Sequence, residues 1–460
     1  MKKVIAMLLA LVMVLGLVAC GSGTASTDTT AAAATKAAET TAAGETKAAE
    51  GTTAAQGEHE NVTIEAHIVQ TDWSDAWDEM ESSFEAQYPW INVEAVGIGE
   101  TNADFISARA AANDLPDIVQ VDNDTTWRKL TDDGKVMDLS GLDVCQYVPQ
   151  SYLDAFTYNG VLMGITQGAA FSCMYYNMDL LSQAGWDKVP TNWDELIQCC
   201  KDVKEKTDAA PLTIAGAKTT TMYFLMELLI ANVCGDELGQ GTYEQQMKDG
   251  KFDFTKYPDL AAKLEEIAPY FLTGSATMTE DDVTAAMTDG TAAMCIAGNW
   301  TAGTLCPGIA ECTGDESKVA ASLVPFNAEG KQVWTSVSPE TAFGITVDEN
   351  RSADEQEACE IFFNWVFQPE NFKLIQNARG TVPVLSNMTD DQIKLPAAIA
   401  AIVGDMNAAP FVSMGFNLTT AEFDDAACTA LRDLITSNGT AQAAIDTMWA
   451  TEQTSYANKK

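Results

Sequence analysis

Histidine is nearly missing from this 460-residue chain, which has only His59 and His67. A histidine-based zinc site, or a Ser-His-Asp catalytic engine, has almost no material to be built from. His59 stands in a polar stretch, and His67 falls in an alternating apolar run that reads as a strand. Basic residues are also scarce: 26 Lys and Arg face 66 Asp and Glu, giving a net charge of −40 and a pI near 4.1. Nucleic acid and anionic lipid are therefore poor partners for the body of the protein. Cys-x-x-Cys pairs are missing, which removes the usual cysteine zinc sites. So are Gly-x-Ser-x-Gly, a phosphate loop and His-Glu-x-x-His, which leaves no catalytic motif to read. No cofactor is implied. An adhesin would want an exposed apolar or repeated face, and no internal repeat is present.

What the chain does have is material for large cores. Its hydrophobic fraction is 47%, and its length suits two or three domains of ~150 residues. Eleven cysteines occur. Those beyond Cys20 read as reduced thiols serving as small apolar side chains; the alternative is a Cys306–Cys312 bridge closing a loop around Pro307 and Gly308. Unpaired thiols in an exported protein would imply an anaerobic setting, because oxidising exteriors pair them.

The first residues read as a targeting segment. Lys2 and Lys3 precede an apolar core from Val4 to Val18. That core is shorter than the ~20 residues a membrane span needs. Leu17-Val18-Ala19-Cys20 then matches a lipobox, in which the Cys20 thiol takes the lipid. Residues 1–20 are thus expected to be a lipoprotein signal, and the mature chain to be held at the outer face of the cell membrane by acyl chains such as palmitate. Residues 21–60 repeat Ala, Thr, Glu, Lys and Gly without one aromatic. Such a stretch cannot bury enough apolar surface to offset its ordering entropy, and reads as a disordered tether.

From Asn61 the pattern becomes α/β. Val62, Ile64, Ala66 and Ile68 alternate as in a strand. A helix follows over 76–87 with Trp77, Met80 and Phe84 on one side. Ile91 to Val96 is the next strand, 104–112 a helix, and Ile118 to Val121 a buried strand. In open α/β sheets ligands meet the loops beyond the carboxyl ends of strands. Trp73 sits in such a loop; it either forms a ligand platform or packs under the following helix. Tyr158-Asn-Gly160 signals a tight turn, Val161 to Ile165 a strand, Phe171 to Tyr176 a longer strand, and Thr191 an N-cap. Further helices are expected over 219–233, 282–288, 355–366, 421–435 and 441–449.

Several ordered strings carry a resemblance. Tyr-x-Gly at 158–160 is followed by Tyr175-Tyr-Asn-x-Asp-Leu180, Ala184-Gly185 and Thr191-x-Trp-Asp-Glu-Leu196. Upstream stands Pro116-Asp-Ile-Val119; downstream stand Gly290-x-Ala-Ala-Met294, Gly298-x-Trp300 and, after a helix at Gln368-Pro-Glu370, Gly380-x-x-Pro383. Together they resemble the extracellular solute-binding proteins of ABC importers, in the sugar-binding family that includes maltose-binding protein. The resemblance implies a periplasmic-binding-protein-like fold: two α/β lobes joined by a hinge, with a ligand cleft between them. One lobe would comprise 61–168 and 344–395, the other 169–343 and 396–460. The hinge would pass near Gln167 to Ala170.

The resemblance also implies a function and a site. The protein would capture a sugar or oligosaccharide by lobe closure and deliver it to permease subunits, as a monomer and not an enzyme. Carry-over points to Asp122 and Asn123 on the first lobe's wall, although either also suits helix capping. It points to Tyr223 at a helix start facing the cleft, with core packing as the other reading, and to Asn299 and Trp300. An indole face suits the C–H face of a pyranose and loses little rotamer entropy. Relatives often carry paired glycines where this chain has Ser338-Pro-Glu340. Glu340 would stand near the second hinge crossing, where a carboxylate can accept two hydroxyl hydrogen bonds. Arg379 reaches the cleft or makes a structural ion pair. Asp72, Asp75, Asp122, Asn123, Gln167, Asn299 and Glu340 would take hydroxyls, and Trp73 and Trp300 ring faces. The same acids and indoles would also suit an organic cation such as a polyamine. A secreted glycosidase is the remaining alternative, since paired carboxylates abound.

Overall fold

Ile64, Ala66 and Ile68 are fully buried on the first strand, as the alternation read from the sequence expects, while Val62 is half-buried and His67 is buried on the other face. The computed structural model describes residues 59–69, 76–97, 102–122, 124–379, 381–389, 392–414 and 419–456. The strands are β1 (Val62–Val69), β2 (Ile91–Gly97), β3 (Ile118–Val121), β4 (Thr157–Tyr158), β5 (Val161–Leu162), β6 (Ile165–Thr166), β7 (Ala169–Asn177), β8 (Ala210–Ile214), β9 (Ala292–Gly298), β10 (Val319–Ser322), β11 (Thr335–Pro339), β12 (Ala342–Ile345) and β13 (Phe411–Ser413). The helices of the first part are α1 (Trp77–Gln87), α2 (Asn102–Ala112), α3 (Thr125–Asp132), α4 (Gln150–Ala155), α5 (Met178–Gln183) and α6 (Trp193–Lys206). Then come α7 (Thr219–Leu238), α8 (Gln240–Lys248), α9 (Pro258–Ile267), α10 (Glu280–Thr288), α11 (Ala302–Thr313), α12 (Ala353–Val366) and α13 (Pro369–Arg379). The chain closes with α14 (Ala397–Ala400), α15 (Val403–Ala408), α16 (Ala421–Ile435) and α17 (Ala441–Ser455).

Two sheets organise these elements. The first runs β2-β1-β3-β12-β6. Its β1, β2 and β3 are parallel, as helical crossovers demand, and β12 joins antiparallel to both β3 and β6. The second runs β13-β11-β7-β9-β8, with β10 also on β7. Its centre is β7, buried along all nine residues. Met174 and Tyr176 point into one core and Phe171, Cys173 and Tyr175 into another on the opposite face, the period of two that a strand imposes. A separate core covers the first sheet, from Ile64 on β1 to Phe362 and Phe363 on α12.

The chain passes between the sheets through short segments lying side by side. Gln167-Gly168 leads from β6 to β7, and Glu340-Thr341 leads back from β11 to β12. A third passage lies between Leu385, in the first core, and Ala398, in a core of the second sheet.

Three local expectations are corrected. The strand read over Val161 to Ile165 is split: β5 pairs with β4 around the left-handed Asn159-Gly160 turn, and β6 pairs with β12. Gly164 makes the switch feasible, since a Cβ there would come within 2.7 Å of Ala342 Cβ. The N-cap of α6 is Asn192 rather than Thr191, whose amide and hydroxyl instead donate to Glu195 Oε2 at 2.9 and 2.8 Å. Cys306 and Cys312 lie on α11, which carries Pro307 in its interior, not in a loop. Six residues of helix separate them by about 9 Å along the axis, beyond disulfide reach. The described cysteines are free, and all but Cys145 and Cys312 are buried. No described helix is long and apolar enough to cross a membrane.

Candidate functional site

The crossings are tied together by backbone and side chain. Gln167 N–H donates to Thr341 O at 3.1 Å, and Glu340 N–H to Gly168 O at 2.8 Å. Thr166 Oγ1 donates to Glu340 O at 2.8 Å. On this ribbon sits a buried polar cluster. Arg379, at the end of α13, donates to Gln167 Oε1 at 3.1 Å and pairs with Glu340 Oε2 at 3.3 Å. Gln167 Nε2 reaches Thr341 Oγ1 at 2.9 Å, and Gln376 Nε2 donates to Gln167 O at 2.6 Å. The side chains of Arg379 and Glu340 are 4% and 7% exposed, so their charges meet with little screening by water. Glu340 Oε1 is buried with no hydrogen-bond partner among the described residues.

Trp300 lies beside this ribbon. Gly298 pairs with Ser172 near the start of β7, which sets the Asn299–Thr301 turn at the crossing end of the second sheet. Asn299 is fully buried there: its Oδ1 accepts from Phe171 N–H at 2.8 Å and its Nδ2 donates to Ala169 O at 3.0 Å. Both ends of its amide thus hold the start of β7. The indole of Trp300 lies over Gly298, where a Cβ would stand 2.3 Å from ring carbons. The Gly298-x-Trp300 spacing is therefore a packing requirement. Trp300 Nε1 donates to Glu280 Oε1 at 2.9 Å; Lys218 Nζ bonds Glu280 Oε2 at 2.8 Å and stands 5.5 Å over the indole ring. Strands β8 and β9 are parallel, so Lys218 and Trp300 both follow carboxyl ends, where a doubly wound sheet presents its loops to ligands.

The other expected residues are spread more widely. Asp122 is half-buried just after β3, and the capping of α3 falls to Asp124, whose side chain accepts from Trp127 N–H at 3.0 Å. Tyr223 is 2% exposed within a core of the second sheet. Its hydroxyl donates to Thr419 Oγ1 at 3.4 Å, and burial pushes its phenol well above the ordinary range. Thr419 in turn donates to Asp424, whose carboxyl burial raises to about 6. Cys20, Asp72, Trp73, Asp75 and Asn123 lie outside the described residues. The structure thus brings Gln167, Asn299, Glu340 and Arg379 to the crossings, with Trp300 adjoining them.

The sequence reading missed Thr341, Gln376, Lys218 and Glu280. Lys218 was within reach of the carboxyl-end rule already applied to Trp73, had it been applied to β8 as well. Nothing in the local sequence marks Gln376. Two surface hollows, of about 430 Å3 by Pro307 and Glu316 and about 330 Å3 by Trp90, are lined by none of these residues.

Known proteins share this architecture. Over about 86% of this chain and all of its own length, a chitin oligosaccharide binding protein superposes with a TM-score of 0.71 at 18% identity. The solute-binding protein RafE, in complex with raffinose, gives 0.69 at 20% identity over 85% of this chain and 98% of RafE. A multiple sugar-binding protein of Streptococcus mutans is 21% identical over 187 residues, a match spanning 40% of this chain and 44% of that protein. The fold is the periplasmic-binding-protein type, with two α/β lobes. A family model described as bacterial extracellular solute-binding protein matches residues 79–401. With that match across most of its length, the chain belongs to the bacterial extracellular solute-binding proteins, which bind their solutes rather than transform them.

Proposed function

We propose that the protein captures a neutral sugar or oligosaccharide and delivers it to the permease of an ABC importer. One lobe comprises 61–168 and 342–395, and the other 169–341 and 396–460; the boundary expected at 343/344 moves because Ala342 and Phe343 pair within the first sheet. Ligand that touches both lobes selects their closed arrangement. The observation that carries the reading is Glu340 Oε1, a buried acceptor at the crossing without a partner among the described residues. Such an atom is costly unless something supplies a donor, and a sugar hydroxyl does. Trp300 supplies an aromatic face beside it, and Asp122 a carboxylate beyond β3; Trp73, Asp75 and Asn123 complete the set. Raffinose is bound by one relative and chitin oligosaccharides give another its name, so galactosides and short amino-sugar chains are the first candidates.

A polyamine fits less well. Lys218 and Arg379 already bring positive charge to Trp300 and Glu340, which repels a second cation and not a neutral sugar. Lipidation at Cys20 and a tether ending before His59 and Glu60, which bond Asp354, would hold the body at the outer face of the membrane while it searches for the permease.

A thermal-shift screen of the full chain against neutral oligosaccharides and polyamines tests the ligand. A sugar should raise the midpoint in step with the logarithm of its concentration, and salt should leave the effect intact. A polyamine response that collapses with salt would overturn the sugar reading. Cys20→Ser should release the protein from the membrane fraction; retention would refute lipid anchoring.

A further inference from the structure

We infer that His59, Asp354 and Glu357 form a binding site for one divalent transition-metal ion, zinc by ligand chemistry, at the foot of β1. The inference stands apart from the sugar site, which lies at the crossings. His59 lies three residues ahead of the first strand, while Asp354 and Glu357 lie three residues apart on α12, a spacing that puts them on one face. The three converge although 295 residues separate His59 from Asp354. His59 Nδ1 stands 3.3 Å from Asp354 Oδ1 and 4.0 Å from Glu357 Oε2, and the three ligand atoms all lie within 4.8 Å of one another.

Those separations fit zinc. Ligands ~2.0 Å from a tetrahedral ion sit ~3.3 Å apart, which the His59–Asp354 pair already matches. Glu357 is 54% exposed, so a small rotamer change closes the remaining gap. The other two ligands are held in place. The imidazole stacks on Trp90 at 4.2 Å and 9°, which fixes the plane of its lone pair. Asp354 Oδ2 accepts from Glu60 N–H at 3.0 Å, leaving Oδ1 turned toward the imidazole. Outer contacts of this kind orient metal ligands. A neutral imidazole with two carboxylates balances a doubly charged ion, and the nitrogen donor favours zinc, nickel or copper over calcium or magnesium. Bound there, the ion would pin the chain just before β1 to the first turns of α12 and suppress fraying at that edge.

Two histidines make the test direct. In the full chain with isotope-labelled histidine, zinc at micromolar concentrations should shift the His59 ring resonances in a saturable way. His67 is 1% exposed beneath Phe105 and should stay fixed as an internal reference. Glu357→Gln, a surface change that spares the fold, should weaken the response at least tenfold, and Asp354→Asn likewise. A His59 signal indifferent to zinc would overturn the inference. So would equal affinity in Glu357→Gln, which would leave a lone surface imidazole, or an equal response to calcium.

Discussion

Gly298→Ala probes how Trp300 is held. The added Cβ would lie 2.3 to 2.4 Å from Cη2, Cζ3 and Cε3 of the indole. Carbon atoms rest about 3.5 Å apart or more, so the ring must retreat by about 1.2 Å. A shift of that size is enough to break the 2.9 Å bond from Trp300 Nε1 to Glu280. Overpacking of this kind costs about 1–3 kcal/mol. Losing a hydrogen bond to a carboxylate adds about 1 kcal/mol once discounted for the partial exposure of Glu280. The expected loss is therefore about 2–4 kcal/mol, measured by calorimetric unfolding. Ligand affinity should fall about tenfold in titration calorimetry if the indole face carries sugar stacking. The effects belong to one contact, so Gly298→Ala added to Trp300→Ala should cost almost nothing further. A Gly298→Ala variant within about 0.5 kcal/mol of the parent, with unchanged affinity, would refute the packing argument.

Two other perturbations are decisive. Glu452 is buried on α17, its Oε1 accepts from Phe252 N–H at 2.9 Å, and desolvation raises its carboxyl from 4.5 to about 8. The folded state therefore prefers the proton: this group's stabilisation is complete below the unfolded pKa near 4.5 and is lost as pH rises through about 8. Glu452→Gln keeps an acceptor and cannot ionise, so its thermal midpoint should fall less between pH 5 and pH 9 than the parent's; parallel profiles would refute this. Arg379→Met should cost about 3–5 kcal/mol by stranding Glu340 in the buried cluster, and adding Glu340→Leu should recover much of it. A single-variant loss below about 1 kcal/mol in chemical unfolding would mean the pair is hydrated like a surface bridge.

The segments legible in the sequence were those whose periodicity or chemistry is local. Alternation gave β1, the three-to-four spacing of Trp77, Met80 and Phe84 gave α1, and Asn159-Gly160 gave the hairpin turn. The ordered strings pointed to the family, and the Gly298-x-Trp300 spacing among them reflects a local packing need. Contacts between distant segments were not legible. Asn299 carries no sign that both ends of its amide hold β7, and Gln376 none that it reaches Gln167 across 209 positions. Pro307 and Gly308 spoke for a loop, yet packing of Leu305, Cys306 and Ile309 into a core keeps α11 helical.

The sequence by itself determined an acidic, histidine-poor α/β chain with a solute-binding pattern. These follow from charge, composition and short-range periodicity, which need no partner from elsewhere in the chain. Only the tertiary structure decided that Glu340 and Arg379 neutralise each other, that Lys218 bonds Glu280 beside Trp300, and that His59 meets α12. Those depend on which distant segments the two sheets bring within a few ångströms, and a linear pattern does not encode that distance.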